Sequence, residues 1–170
     1  VDPTIDTNLI EKDINNLLKY GHSEWVGFSP VELSGLYAYI FNGEGAYNEL
    51  KTFIKYFIHD NGFHMNSDYK RLGYNEYGPY VLTLEANIGF NKSLADMMLY
   101  SNFGNIIIFP AIPAHFKEKG CGFKDLIAKG GIKISAEIKN SEIQKIYIKN
   151  SNRVSFKLLT NFKDNHVLFI

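Results

Sequence analysis

The chain has 170 residues, and its 18 lysines and arginines balance its 18 aspartates and glutamates. A chain of this length can bury a core without disulfide staples. Its zero net charge excludes the basic excess of a general nucleic-acid-binding protein. A single cysteine, Cys121, excludes an internal disulfide and a zinc site built from several cysteines.

The sequence predicts no membrane partner and no targeting signal. Unbroken apolar runs such as residues 106–109 are far shorter than the roughly 18 residues of a membrane span. Residues 1–6, VDPTID, lack the basic and apolar regions of a secretory signal peptide.

The first hundred residues predict helices, because apolar residues recur there at helical spacing. The predicted helices cover about residues 6–20, 29–41, 44–59 and 87–101. Ser29 and Glu32 form the pattern of a capping box at the start of the second helix, and Asn42-Gly43 is expected to end it. The second and third helices therefore predict an antiparallel hairpin.

After Gly104 the period of the pattern changes to two, which is typical of strands. Residues 132–139 alternate between apolar and polar, and Asn140-Ser141 predicts a turn. Further strands are predicted at 106–109, 145–149, 154–158 and 166–170. Helices followed by strands predict an α+β fold, divided into a helical part, 1–103, and an antiparallel β-sheet or sandwich, 104–170.

Glu85 is the most informative carboxylate, because it stands in the apolar segment 80–89, YVLTLEANIG, at a predicted helix start. A carboxylate buried there without partners costs free energy, and its raised pKa would suit a general acid or base. The alternative is an N-terminal glutamate that the helix dipole favours. The residue pattern leaves both interpretations open.

The long irregular stretch before Glu85, about residues 60–82, is of a length that is more often functional than idle. It combines aromatic rings, which support sugar faces, with carboxylates and amides, which bind hydroxyl groups. This mixture predicts a carbohydrate site, with candidate substrate-binding residues His64, Asp68, Tyr80 and Asn87. Glu76 is a further candidate in the same stretch.

No cofactor or metal is predicted. The glycine pairs at 43–45 and 120–122 lack the spacing of a phosphate-binding loop and fit turns better. His59 and His64, across Asn61-Gly62, do not have a familiar zinc spacing. Cys121 is predicted to be a small residue in a turn rather than a nucleophile activated by His115.

Motif-like segments also occur in a defined order. Residues 26–29 (VGFS), 36–38 (LYA) and 42–50 (NGEGAYNEL) form the first set. The second is residues 83–89 (TLEANIG), and the third comprises residues 107–113 (IIFPAIP), 122–123 (GF) and 128–132 (AKGGI). These segments resemble the C-terminal part of glycoside hydrolase family 95, the bacterial inverting α-L-fucosidases and related α-L-galactosidases.

The resemblance implies helices of an (α/α)6 barrel over 1–103, followed by a C-terminal β-domain. It assigns Glu85 the role of general base, which activates water together with Asn87. Glu32 falls where the family often has His or an aromatic residue, and is implied to be substrate-binding. Glu85 itself is one methylene longer than the family's Asp, and Tyr39 replaces its usual Arg, so the sugar specificity stays open.

An inverting hydrolase needs two carboxyl groups about 6.5–9.5 Å apart, and the family's proton donor lies before the matched region. The chain is therefore expected to be a piece of a longer enzyme that does not hydrolyse fucosides by itself. Its expected partners are a carbohydrate, the rest of the parent enzyme, and further copies of the chain through exposed apolar faces. The resemblance implies a secreted or cell-surface parent.

Two other functions stay open. One is a carbohydrate-binding or structural module without catalysis. The other is kinship with family 65-type phosphorylases, which needs basic groups near the base; the absence of Lys or Arg within six residues of Glu85 disfavours it.

Overall fold

The computed structural model describes residues 6–78, 80–102, 104–159 and 168–169. These residues form five helices and three small sheets. The helices are α1 (Thr7–Lys19), α2 (Phe28–Tyr39), α3 (Gly43–Phe57), α4 (Glu85–Met98) and α5 (Ala114–Lys119). Within the described part of the chain, no helix is long and apolar enough to cross a bilayer.

The strands lie mostly after α4. They are β1 (His64–Met65), β2 (Leu82–Thr83), β3 (Leu99–Asn102), β4 (Asn105–Ile108), β5 (Cys121–Ala128), β6 (Ile132–Lys139), β7 (Glu142–Lys149), β8 (Lys157–Leu159) and β9 (Leu168–Phe169). They pair in the orders β1-β2, β3-β4-β8 and β5-β6-β7-β9. The predicted strand at 166–170 is thus described only at 168–169.

The four predicted helices are confirmed within a few residues of their ends, but the capping pattern differs. Gly27, not Ser29, is the N-cap of α2, and the Ser29 hydroxyl accepts a hydrogen bond from the Val26 N–H at 3.2 Å. Asn42 caps the next helix, since its Oδ1 accepts from the Gly45 N–H at 2.9 Å. The chain reverses between α2 and α3 at Phe41, which has a φ of 62°.

The hairpin of β6 and β7 is confirmed. Asn140 and Ser141 adopt φ angles of 52° and 59°, the backbone that a tight hairpin turn requires. Along β6 the apolar side chains are buried while the polar side chains between them are exposed or half-buried, because successive side chains of a strand point to opposite faces.

The prediction of a purely antiparallel β-part is wrong. β8 pairs in parallel with β4, and β9 pairs in parallel with β7. The Asn150 side chain explains the departure of the chain after β7. Its Oδ1 accepts from the Val154 N–H at 3.1 Å and its Nδ2 donates to the Val154 carbonyl at 2.8 Å. This turn leads the chain away from β7 and across to the other sheet.

The prediction that the helices belong to an (α/α)6 barrel is also wrong, since the described residues contain no such barrel. The reason lies in what the helices cover. Ala46 and Leu50 of α3 and Met97 of α4 share one buried cluster with Ile106 of β4 and Ile134 of β6. The apolar helix faces therefore pack on the sheets instead of facing one another around a barrel axis, which gives a small α+β architecture.

Elements that the sequence pattern did not predict lie around position 104. β3 pairs antiparallel with β4 across Gly104, whose φ of 79° suits the turn. α5 and β5 follow, and Cys121 opens β5, so the predicted turn at 120–122 is wrong at this residue. The division into 1–103 and 104–170 stays a prediction.

Candidate functional site

Glu85 is the first residue of α4, and its side chain is exposed. Its carboxylate accepts a hydrogen bond from the Leu84 N–H at 3.1 Å. The backbone N–H of Glu85 itself, followed by the Thr83 hydroxyl, the charge of His64 and the Leu84 N–H, lowers the pKa of the carboxyl below its ordinary value, against a small opposing influence of burial. The N-terminal interpretation of Glu85 is thus the one that the structure bears out.

His64 lies directly beside this carboxylate and is fully buried. It belongs to β1, where it is the register partner of Thr83 in β2. Its Nδ1 lies 2.6 Å from the Thr83 Oγ1. Burial lowers the pKa of His64, and the negative charge of Glu85 opposes this shift. The ring is therefore held in its neutral form at neutral pH.

Gly27 makes room for the His64 ring. A Cβ at this position would lie 2.1 Å from the His64 Nε2 and 2.4 Å from its Cδ2, so any larger residue would displace the imidazole. Nε2 has no hydrogen-bond partner among the described residues. The segment 26–29 and the segment 83–89, far apart in sequence, thus meet at His64.

Asn87 ties the start of α4 to the chain before β1. Its Oδ1 accepts from the His64 N–H at 2.8 Å, and its Nδ2 donates to the Gly62 carbonyl at 2.9 Å. Both polar groups of the amide therefore hold backbone. The predicted role of Asn87 in binding substrate must share these atoms with the loop.

Gly89 and Ser93 place α4 tightly against α2. A Cβ on Gly89 would lie 2.8 Å from the Val31 Cγ1. One turn later the Ser93 hydroxyl donates to the Val31 carbonyl at 2.9 Å. The Asn-x-Gly element beside Glu85 thus has a packing role that fixes where α4 begins.

Asp68 is buried and holds the loop that follows β1. Its Oδ2 accepts from the Tyr74 N–H at 3.0 Å, and its own N–H donates to the Asn75 Oδ1 at 3.0 Å. Its Oδ1 has no hydrogen-bond partner in the described part of the chain. Asp68 therefore shapes the loop near His64.

The two remaining candidates, Tyr80 and Glu32, are exposed and share no hydrogen bond with Glu85 among residues 6–78, 80–102 and 104–159. Tyr80 lies under the Arg71 guanidinium, which is 6.0 Å from its ring centroid. Glu76 is exposed as well, and its N–H donates to the Ser23 carbonyl at 2.8 Å. The structure brings together His64, Asn87 and Glu85 but not these outer residues.

An apolar surface surrounds Glu85. It consists of the exposed side chains of Tyr80, Val81, Leu82, Leu84 and Ile88, of which Ile88 is 70% exposed. Contiguous exposed apolar side chains are typical of a surface that binds a ligand or another protein. We call these residues the β2–α4 apolar surface.

The sequence reasoning missed Thr83, Gly27 and Glu49. Thr83 links His64 to Glu85, and its position two residues before the acid, on the same face of an extended strand, was the available signal. Glu49 of α3 is a half-buried carboxyl whose pKa burial raises to about 7. No local signal identified it, because its burial is produced by chain segments distant in sequence.

Metal and thiol chemistry find no support in the described part of the chain. It contains no group of His, Cys, Asp or Glu residues that could hold a metal ion. The His59 ring packs against Tyr69, with centroids 5.1 Å apart. Burial raises the pKa of the half-buried Cys121 thiol, with Lys117 opposing it, which disfavours the nucleophilic thiolate.

Comparison with known proteins adds no relative. No family model matches the chain. No curated protein is significantly similar to it. The resemblance to glycoside hydrolase family 95 therefore depends on the quoted segments alone.

Proposed function

We propose that the chain carries the water-activating half of an inverting α-glycoside hydrolase site, with Glu85 as the general base. The observation that supports this most is the state of Glu85: an exposed carboxylate whose lowered pKa keeps it ionised at neutral pH. A general base must be ionised to accept the proton of the attacking water. The exposed Tyr80 ring and the β2–α4 apolar surface offer an apolar platform beside it.

The second carboxyl group of such a site, the proton donor, is assigned to the remainder of the enzyme. That remainder and a carbohydrate, fucose or a related sugar, are the partners we propose. The β2–α4 apolar surface is consistent with a covered position in the complete enzyme. The chain alone is then expected to leave ordinary fucosides intact, because their leaving group must be protonated.

A substrate whose leaving group needs no proton tests the base alone. In α-L-fucosyl fluoride, water attacks C1, the C–F bond breaks with its electron pair leaving on fluoride, and Glu85 takes the proton of the water. We expect fluoride release above the spontaneous rate, with β-L-fucose as the first product. Glu85→Gln should reduce this release to background, since the amide accepts no proton at neutral pH.

The matched control is Glu11→Gln, which changes an exposed glutamate on α1. It should release fluoride at the rate of the unchanged chain. Release that stays at the spontaneous rate, or that survives Glu85→Gln, contradicts the proposal. So does turnover of an aryl α-L-fucoside by the chain alone, because this would require a donor carboxyl within it.

The alternative is a carbohydrate-binding module without catalysis. It is favoured by the engagement of both Asn87 polar groups with backbone and by the low basicity that a lowered pKa gives Glu85. Amide shifts of residues 80–88 on titration with L-fucose, without any fluoride release, would select this function instead.

A further inference from the structure

The neighbourhood of Glu85 contains a chain of side-chain contacts that reaches into the core. The His64 Nδ1 lies 2.6 Å from the Thr83 Oγ1, and the Thr83 hydroxyl in turn stabilises the ionised carboxylate of Glu85. His64 is fully buried, whereas Glu85 is exposed. A surface carboxylate is thus joined to a core side chain through a single hydroxyl.

We propose that His64 is a positioning residue for Glu85, and that it acts through Thr83 in a hydrogen-bond chain with one fixed direction. The importance of this chain for catalysis rests on the proposed function. The chain itself is a property of the folded protein and can be tested without any substrate.

The direction follows from the hydrogen-bonding capacity of each group. An ionised carboxylate only accepts hydrogen bonds, so Thr83 must donate its hydroxyl hydrogen to Glu85. The Thr83 oxygen is then left to accept, and the hydrogen between Thr83 and His64 must belong to the His64 Nδ1. This places the proton of the neutral imidazole on Nδ1 and leaves Nε2 bare.

The surroundings of Nε2 agree with this assignment. The ring edge lies against Gly27, and no acceptor for an Nε2 proton exists among the described residues. A buried N–H without an acceptor is rarer in proteins than an acceptor with an unused lone pair. Burial also disfavours the doubly protonated ring. Of the charged groups near His64, Glu85 is the one that acts on its titration.

His64 is held firmly enough to orient its partners. Its N–H donates to the Asn87 Oδ1 at 2.8 Å, and its ring lies against Phe53 of α3 with centroids 5.6 Å apart. Strand pairing fixes Thr83 opposite it. A carboxylate at a helix start is otherwise free to rotate, and a catalytic group gains rate when it is held near its productive geometry.

Two NMR measurements on the whole chain test the inference. Long-range ¹H–¹⁵N spectra report the protonation of both His64 nitrogens, and we expect the proton on Nδ1 at neutral pH. A proton on Nε2, or a charged imidazolium, overturns the inference. Neither result depends on sugar binding or on activity.

The second measurement is the carboxyl titration of Glu85 by ¹³C NMR. Thr83→Val removes the hydroxyl but keeps a β-branched strand residue, and should move the titration to higher pH. Thr83→Ser restores the hydroxyl and should move it back. Equal titrations in all three proteins contradict the chain. Unchanged amide spectra outside 62–88 confirm that the variants stay folded.

Fluoride release from α-L-fucosyl fluoride separates this inference from the proposed function. If both hold, Thr83→Val should lose about tenfold in release rate and Thr83→Ser should recover it. If the NMR results are as expected but the unchanged chain releases no fluoride, the positioning chain stands and the proposed function fails.

Discussion

Glu49 lies half-buried on α3, close enough to two tyrosines for its charge to act on them. Burial and then the charge of Glu49 raise the pKa of the Tyr37 and Tyr74 hydroxyls, and burial raises the pKa of Glu49 itself to about 7. The folded protein therefore holds Glu49 protonated over a pH range in which the unfolded chain has already lost that proton.

The sign of the pH effect follows. Below the ordinary pKa of 4.5 the group is protonated in both states, and its ionisation costs nothing. Between 4.5 and about 7 the unfolded chain gains by ionising, so stability falls as the pH rises. Glu49→Gln should therefore raise the free energy of unfolding by about 1–2 kcal/mol at pH 8 and leave it nearly unchanged at pH 4.

Urea unfolding of both proteins at the two pH values measures this difference. Glu11→Gln, on the exposed face of α1, is the control and should have no effect at either pH. An equal gain at pH 4 and pH 8 would mean that the charge of Glu49 is not the cause.

At the scale of elements, Asn87 joins α4 to the β1–β2 ladder. Its side chain makes hydrogen bonds to the backbone at Gly62 and His64, and β2 leads directly into α4. Without these bonds the two-residue strands have little to hold them, since each buries few groups of its own.

Asn87→Ala should therefore cost about 1–3 kcal/mol of stability, because it leaves the His64 N–H without its acceptor. Hydrogen exchange of that N–H should become faster by a corresponding factor. Asn91→Ala, one turn later on the same helix, removes only an exposed contact to the Asn87 carbonyl and should change stability by less than about 0.5 kcal/mol. Equal effects of the two changes would contradict the assigned role.

At the scale of the whole molecule, one buried cluster connects the helices to the sheets. Ala46, Leu50 and Met97 share it with Ile106 and Ile134. A second cluster beneath α2 and α3 contains Val31, Phe53, Phe57 and Ala86, and Phe90 packs against both clusters. This continuity predicts that the helical and β parts unfold together.

Ile134→Ala in β6 tests this cooperation, because the chain's single tryptophan, Trp25, reports on the helical end. Truncating the fully buried Ile134 should cost about 2–5 kcal/mol and lower the unfolding midpoint seen by Trp25 fluorescence. Ile127→Ala, at a 67% exposed site in β5, should have little effect. A Trp25 transition that does not respond to Ile134→Ala would show that 1–103 unfolds separately.

The sequence by itself determined the local elements. Apolar spacing located α1 to α4, and the alternation over 132–139 with Asn140-Ser141 located the β6–β7 hairpin. Such patterns depend only on which residues share a face of one element. The same reasoning identified His64, Asn87 and Glu85 as candidates, and the structure brings these residues together.

Only the tertiary structure decided how the elements combine and how the site is charged. Apolar helix faces pack equally well on other helices or on a sheet, so the periodicity did not exclude the barrel. The apolar neighbours of Glu85 in sequence suggested burial, yet Leu82 and Leu84 are themselves exposed. The environments of Glu49 and His64 arise from distant segments meeting, and a residue's pKa depends on those neighbours in space.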